Sequence, residues 1–271
     1  MTHLTLPGPL FLIGCGNMAG AMLEGWLAAG ADPRLITVVR PSGRAPAAGI
    51  RTLTALPEDE VPALVLLGVK PQKLAEVAPI VAPALERETI LVSILAGTTL
   101  ATLRGLFPTS RTIVKAMPNL PVGLGKGVTE LHSDGAGGEA GKAEVERLMR
   151  ALGHVEWFDD ESLFSVASAL TAAAPAFLYR FLDALAAAGE EMGLSPDQAA
   201  RLAALMAEGA SALAAASDAT PEQLARRVAS PGGTTEAGLA VLDSEESLKA
   251  LVLRAMEASR RRGQEMAAGA G

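Results

Sequence analysis

Leu10-Phe-Leu-Ile-Gly-Cys-Gly-Asn-Met-Ala-Gly20 is an apolar run that breaks into glycines. It continues as Ala21, Met22, Leu23, Trp26 and Leu27, spaced at the period of a helix. A strand, a tight turn and a helix follow from that order. Gly14 permits the turn, Gly16 lets the backbone approach a pyrophosphate, and Ala19 keeps the helix close to the strand. The unpaired N–H groups at the helix start then face the anion. We read the stretch as a dinucleotide site; the bland alternative is a merely tight turn.

The pattern repeats along the next hundred residues. Leu35–Val39, Leu64–Val69, Ile90–Ile94 and Thr112–Lys115 have strand composition, and amphipathic segments begin at Leu74 and Thr99. Alternation of this kind predicts a parallel sheet wound with helices. It also predicts ligands at the carboxyl ends of the strands, here Gly14, Arg40, Lys70, Ala96 and Met117-Pro118-Asn119. About twenty residues past the glycine loop a site that prefers NAD places a carboxylate on the ribose. This chain has Arg40-Pro-Ser42-Gly-Arg44 instead, two guanidinium groups and a hydroxyl suited to a 2′-phosphate. NADPH is the expected donor, with NADH second; a solvated basic turn is the alternative.

The chain has 271 residues, a length that suits two domains, and 49% of them are hydrophobic but only 3% aromatic. Alanine-rich, closely packed helices fit that balance. A net charge of −7 with dispersed Lys and Arg gives no footprint for nucleic acid. Cys15 is the only cysteine, and His3, His132 and His154 are scattered, so neither a disulfide framework nor a metal site is expected. A single thiol fits a reducing cytoplasm. The N-terminal run lacks Lys or Arg before Arg34 and is interrupted by glycines, unlike a secretory signal. Residues 162–179 are uncharged but rich in Ala, Ser and Thr, and are not expected to span a membrane.

Strand signals stop near residue 160, which divides the chain into 1–159 and 160–271. A long helix is expected over about 161–192. Ser195-Pro-Asp-Gln198 and Thr220-Pro-Glu-Gln223 each combine a capping hydroxyl, a first-turn proline and a glutamine three residues on. Such apolar helices suit a subunit interface, or else a self-contained bundle. Between them Ser230-Pro-Gly-Gly-Thr-Thr-Glu-Ala-Gly238 offers backbone N–H groups to a carboxylate or phosphate; an ordinary interhelical turn is equally open.

Gly14-Cys-Gly-Asn-Met-Ala19, Val69-Lys-Pro-Gln72, Ser93-Ile-Leu-Ala-Gly97, Met117-Pro-Asn119 and Ser230-Pro-Gly-Gly-Thr-Thr235, in this order, resemble the pyrroline-5-carboxylate reductase family. The resemblance runs from about residue 10 to 265. It implies an N-terminal Rossmann domain joined to an all-helical domain that interlocks two subunits, with rings of dimers common. It implies reduction of 1-pyrroline-5-carboxylate to proline, the last step of proline biosynthesis, with NADPH or NADH. Gly14, Cys15, Gly16, Asn17, Met18, Ala19, Val69, Lys70, Pro71, Ala96 and Gly97 would contact the dinucleotide. Ser230, Gly232, Gly233 and Thr234 would hold the substrate carboxylate, and Thr235 would hydrogen-bond the ring nitrogen. Met117, Pro118, Asn119, Thr171 and Pro175 would lie at the substrate pocket. The family's usual Ser-Gly-Ser-Gly-Pro-Ala-Tyr reads Thr171-Ala-Ala-Ala-Pro-Ala-Phe177 here, and Leu120 stands where Thr is usual.

The residues past 160 include one lysine, Lys249, one tyrosine, Tyr179, and no histidine. Reducing a ketone needs a positioned acid, whereas an imine can arrive protonated and needs mainly orientation and one hydrogen-bond partner. Scarce acid–base equipment therefore favours C=N reduction. The competing reading is a paralogue that binds nucleotide but is catalytically impaired and regulatory.

Overall fold

Four consecutive apolar residues, Leu10–Ile13, are buried on both faces, which a strand achieves only inside a sheet covered by helices on both sides. The computed structural model describes residues 3–244 and 248–268. Its first part runs β1 (Leu10–Ile13), α1 (Asn17–Ala28), β2 (Ile36–Val39), β3 (Arg51–Leu53), β4 (Leu64–Leu67), α2 (Leu74–Val81), β5 (Ile90–Ser93), α3 (Leu100–Leu106), β6 (Thr112–Pro118), β7 (Gly127–His132), α4 (Gly138–Arg150) and β8 (Gly153–Trp157). The helices α5 (Glu161–Thr171), α6 (Ala174–Glu191), α7 (Pro196–Ala216), α8 (Pro221–Val228), α9 (Thr234–Leu242) and α10 (Leu248–Ala268) follow.

One sheet holds all eight strands in the order β3-β2-β1-β4-β5-β6-β7-β8. Alternation along the strands sorts the core into two layers. Leu10, Leu12, Leu64 and Leu66 pack with Met22 and Trp26 of α1 and Leu148 of α4. Phe11, Ile13, Val65 and Leu67 face the other way, against Leu74 and Val81 of α2 and Leu103 of α3. Trp26 is fully buried, and its indole N–H donates to the Leu148 carbonyl at 3.0 Å, tying α1 to α4.

Two sequence expectations need correction. The sheet is parallel through β6, but β7 runs antiparallel to β6. Residues 119–126, which include a turn of 3-10 helix, are the whole link between them. A parallel neighbour would demand a crossover of about a dozen residues or more. The expected long helix over 161–192 is two helices, α5 and α6, separated at Ala172-Ala173. Pro175 has no N–H for the Thr171 carbonyl and its ring clashes with that carbonyl in a continuous helix. The freed carbonyl is taken by the Asn119 side-chain N–H at 3.1 Å.

The chain forms two compact units, one of the described residues up to 173 together with those from 259 onward, the other of residues 174–258. Both expected capping boxes are present in the second unit, at Ser195 and Thr220. That unit has almost no core: among its described residues only Ala199, 3% exposed, is buried, while Leu202, Leu205, Met206, Leu213 and Val241 are all exposed. Residues 161–191, interrupted at Ala172-Ala173, and residues 196–216 each contain an eighteen-residue window apolar enough to cross a membrane by composition.

Candidate functional site

The glycine loop sits where the carboxyl ends of β1, β2 and β4 are laced together. Gly14 N–H donates to Val39 at 2.8 Å, and Gly68 N–H donates to Ile13 at 2.9 Å. Gly14 has φ +82°, and a Cβ there would lie 2.9 Å from the Gly68 carbonyl oxygen and from Val69 Cγ1. Gly16 is the N-cap of α1, has no side-chain cap, and faces open space on the side where a Cβ would project. The first turn of α1 carries no acidic residue. Ala19 is buried, its Cβ 3.0 Å from where a Cβ on Gly68 would stand, so helix and strand meet at the smallest residues available. Burial pushes the Cys15 thiol up, against the opposing pull of the Arg40 guanidinium, so a reactive thiolate is disfavoured in this loop.

Beyond β2, Arg40 donates its backbone N–H to Leu53 at 2.9 Å, and its carbonyl accepts from Gly43 at 3.1 Å. Ser42 Oγ accepts from the Arg44 N–H at 3.4 Å. Among the described residues neither guanidinium has an ion-pair partner. Val69 is half-buried after β4, and Lys70 is exposed at the cap of a 3-10 turn that begins with Pro71.

At the ends of β5 and β6 the first unit carries a cleft of about 700 Å3. It brings together Ala96, Gly97 and Met117, along with Ser168, Ala169 and Ala172 from the last turns of α5 and Met266 from α10. Pro118 ends β6 just behind Met117, and Asn119, the cap of the following 3-10 turn, reaches Thr171. Pro175 opens the second unit. Sequence reasoning missed four polar residues here. Lys115 and Glu161 form an ion pair in the cleft wall, and the Lys115 ammonium stands 4.8 Å from the centre of the Phe164 ring. Burial pushes the Glu161 carboxyl up, but the hydrogen bond and charge of Lys115, with the Leu100 N–H, together hold it below the usual carboxylate range. Thr98, 2% exposed, has a hydroxyl with no partner among the described residues, and Glu130 is buried beside Thr171. Lys115 at the end of a strand run was the only signal, and it does not specify a partner.

In the second unit, Ser230–Gly233 forms a tight turn into α9. Gly232 has φ +70°, and a Cβ on Gly233 would lie 2.9 Å from the Ser230 carbonyl oxygen. The Gly233 N–H donates to that same oxygen at 2.9 Å, while the Gly232 N–H donates to the carboxylate of Glu236 at 2.7 Å. Gly233 is the N-cap of α9 and no side chain caps the helix; Thr234 and Thr235 open its first turn, exposed and half-buried respectively.

Comparison with known proteins places these features in a family. Residues 161–266 match the family model described as pyrroline-5-carboxylate reductase dimerisation, and residues 10–97 match one described as NADP oxidoreductase, coenzyme F420-dependent. The pyrroline-5-carboxylate reductase of Pseudomonas aeruginosa is 35% identical over 94% of this chain and 95% of its own. The solved structure of a pyrroline-5-carboxylate reductase from Coxiella burnetii superposes with a TM-score of 0.82 at 30% identity, covering 96% of this chain and 98% of that one. That of Plasmodium falciparum pyrroline carboxylate reductase, solved with NADP bound, gives 0.84 at 24% identity, covering 97% and 99%. Alignment at this identity along nearly the whole length of both chains means that the chain belongs to the pyrroline-5-carboxylate reductase family.

Proposed function

We propose that this protein reduces 1-pyrroline-5-carboxylate to L-proline with NADPH, the last step of proline biosynthesis. The observation that carries the reading is at Gly232, whose N–H already holds a carboxylate, that of Glu236, at 2.7 Å. A substrate carboxylate has the same chemistry and would take the place of Glu236, held by Ser230, Gly232, Gly233 and Thr234. Thr235, free of any capping bond, then offers its hydroxyl to the ring nitrogen. NADPH, when bound, supplies the hydride that makes the C=N carbon tetrahedral.

The first unit suits the dinucleotide: the open space beside Gly16 and the uncapped start of α1 accept a pyrophosphate, and the unpaired Arg40 and Arg44 accept a 2′-phosphate. Cys15, Asn17, Met18, Ala19, Val69, Lys70, Pro71, Ala96 and Gly97 complete that surface in this reading. Met117, Pro118, Asn119, Thr171 and Pro175 border the imine. Leu95, Met117, Phe164 and Ala169 give the cleft apolar walls beside its polar groups, a surface suited to the carbon skeleton of the ring.

In this reading residues 1–159 are the nucleotide-binding part and residues 160–271 the substrate and dimerisation part. A helical unit with one buried residue among those described cannot stand alone in water, so its apolar helices cover those of a second copy, not a membrane. Each active site then combines the cleft of one copy with the Ser230–Thr235 turn of the other, and dimers can close into a ring. The protein acts in the cytoplasm on a small imino acid, without nucleic acid. Steady-state rates with five- and six-membered cyclic imino acids test the substrate. The five-membered ring should have the higher kcat/KM, and a preference for the larger ring would overturn the assignment.

A further inference from the structure

Among the described residues no backbone hydrogen bond joins α5 to the sheet or to α3, so side chains fix how that helix stands over the cleft. Its end is held at Thr171, whose carbonyl accepts from Asn119 and whose hydroxyl donates to Glu130 of β7. Its start is held at Glu161. A single carboxylate oxygen, Oε1, accepts both from the Lys115 ammonium of β6 and, at 3.2 Å, from the Leu100 N–H in the first turn of α3. Lys115 is 8% exposed and has no other ion-pair partner among the described residues; its ammonium also lies over the ring of Phe164, three residues along α5.

The three elements that meet at this oxygen are three walls of the cleft. Leu100 lies three residues after Gly97, Lys115 lies two before Met117 on the same face of β6, and Glu161 opens the helix that carries Ser168, Ala169 and Ala172. Neither donor has another acceptor among the described residues. The Leu100 N–H is one of the groups at a helix start that no carbonyl of its own helix reaches, and the Thr99 side chain caps Thr102 instead. An ammonium as desolvated as that of Lys115 is costly without an anion. His132, opposite Lys115 in register, is bonded through Nδ1 to the Phe158 carbonyl and supplies none.

We propose that Glu161 and Lys115 are positioning residues for the reaction proposed above, holding the Ala96-Gly97 loop, Met117 and the last turns of α5 in one arrangement. They act through those walls, not by contact with the reacting atoms, and the inference rests on the proposed reaction only for the identity of the imine. A buried ion pair adds little net stability over uncharged side chains of the same volume. What this pair supplies is a fixed relation between three segments whose backbones are not bonded to one another at this point.

Lys115→Met combined with Glu161→Gln removes both charges, keeps the volumes, and leaves an amide oxygen for the Leu100 N–H. The double variant should keep its Tm, while KM for the imine rises by about ten-fold. Lys115→Arg, which keeps the cation, should stay within about three-fold of wild type in KM. A double variant with wild-type Tm and wild-type KM would overturn the proposal, and so would one in which KM and Tm fail together, because the pair would then serve stability alone. Amide hydrogen exchange of the ligand-free protein reads the arrangement without any substrate, and Glu161→Gln alone suffices for it should the double variant not fold. Exchange at Leu100 and along α5 should be about ten-fold faster than in wild type, with β1 unchanged. Unchanged exchange at those amides would overturn the proposal whatever the substrate proves to be. Faster exchange in a protein whose wild type does not turn over the imine would refute the proposed reaction and uphold the positioning.

Discussion

Replacing Arg40 and Arg44 together by alanine should abolish the proposed preference for NADPH over NADH. The turn does not depend on their side chains. Backbone bonds to Leu53 and Gly43 hold Arg40, and neither guanidinium pairs with a carboxylate among the described residues, so truncation orphans no partner. A charge-assisted contact to phosphate is worth about 1.5–3 kcal/mol. Arg40 is half-buried and Arg44 exposed, which sets Arg40 as the stronger contact and keeps Arg44 at the screened, low end. The double variant should lose about 1.5–3 kcal/mol, roughly ten- to a hundred-fold in Kd for NADPH, with NADH changed by less than about three-fold. Fluorescence titration of both nucleotides at fixed ionic strength reads the two constants, and an unchanged Tm shows that the fold is intact. Equal weakening of NADPH and NADH would refute the reasoning, because the turn would then not read the phosphate.

Thr235→Val should lower kcat by about ten-fold or more with Tm unchanged, since Thr235 makes no cap bond to α9; a drop in Tm at constant kcat would reassign it to structure. Gly14→Ala meets φ +82° and two atoms at 2.9 Å, so Tm and NADPH affinity should fall together, by a few kcal/mol in stability; a variant with wild-type Tm would show that the turn tolerates a side chain. Light scattering at assay concentration should find a dimer or a multiple of one, because among its described residues the second unit buries only Ala199 by itself; a monodisperse, fully active monomer contradicts that.

Legibility in the sequence followed how local each signal was. The strand-turn-helix of Leu10–Ala28 is decided by glycines whose constraints lie within a few residues, and the two capping boxes at Ser195 and Thr220 are complete within four. β7 and β8 were invisible because polar residues interrupt both: Thr129, Glu130 and His132 on β7, His154 and Glu156 on the edge strand β8. The break between α5 and α6 had a visible cause in Pro175, yet the Ala-rich composition on both sides concealed it. What allows the break is Asn119, fifty-two residues away, which takes the freed Thr171 carbonyl. Glu130 is illegible for the same reason. Its hydrogen-bond partner Thr171 is brought to it only by the fold.

The central claim is that hydride passes from NADPH to the imine carbon at this site. It is tested most directly by incubating the protein with 1-pyrroline-5-carboxylate and NADPH carrying deuterium on the transferable face, then examining the proline formed by mass spectrometry. The account predicts one mole of proline per mole of NADPH oxidised, with a single deuterium at Cδ. NADPH that binds but is not consumed, or proline that forms without deuterium, would contradict it.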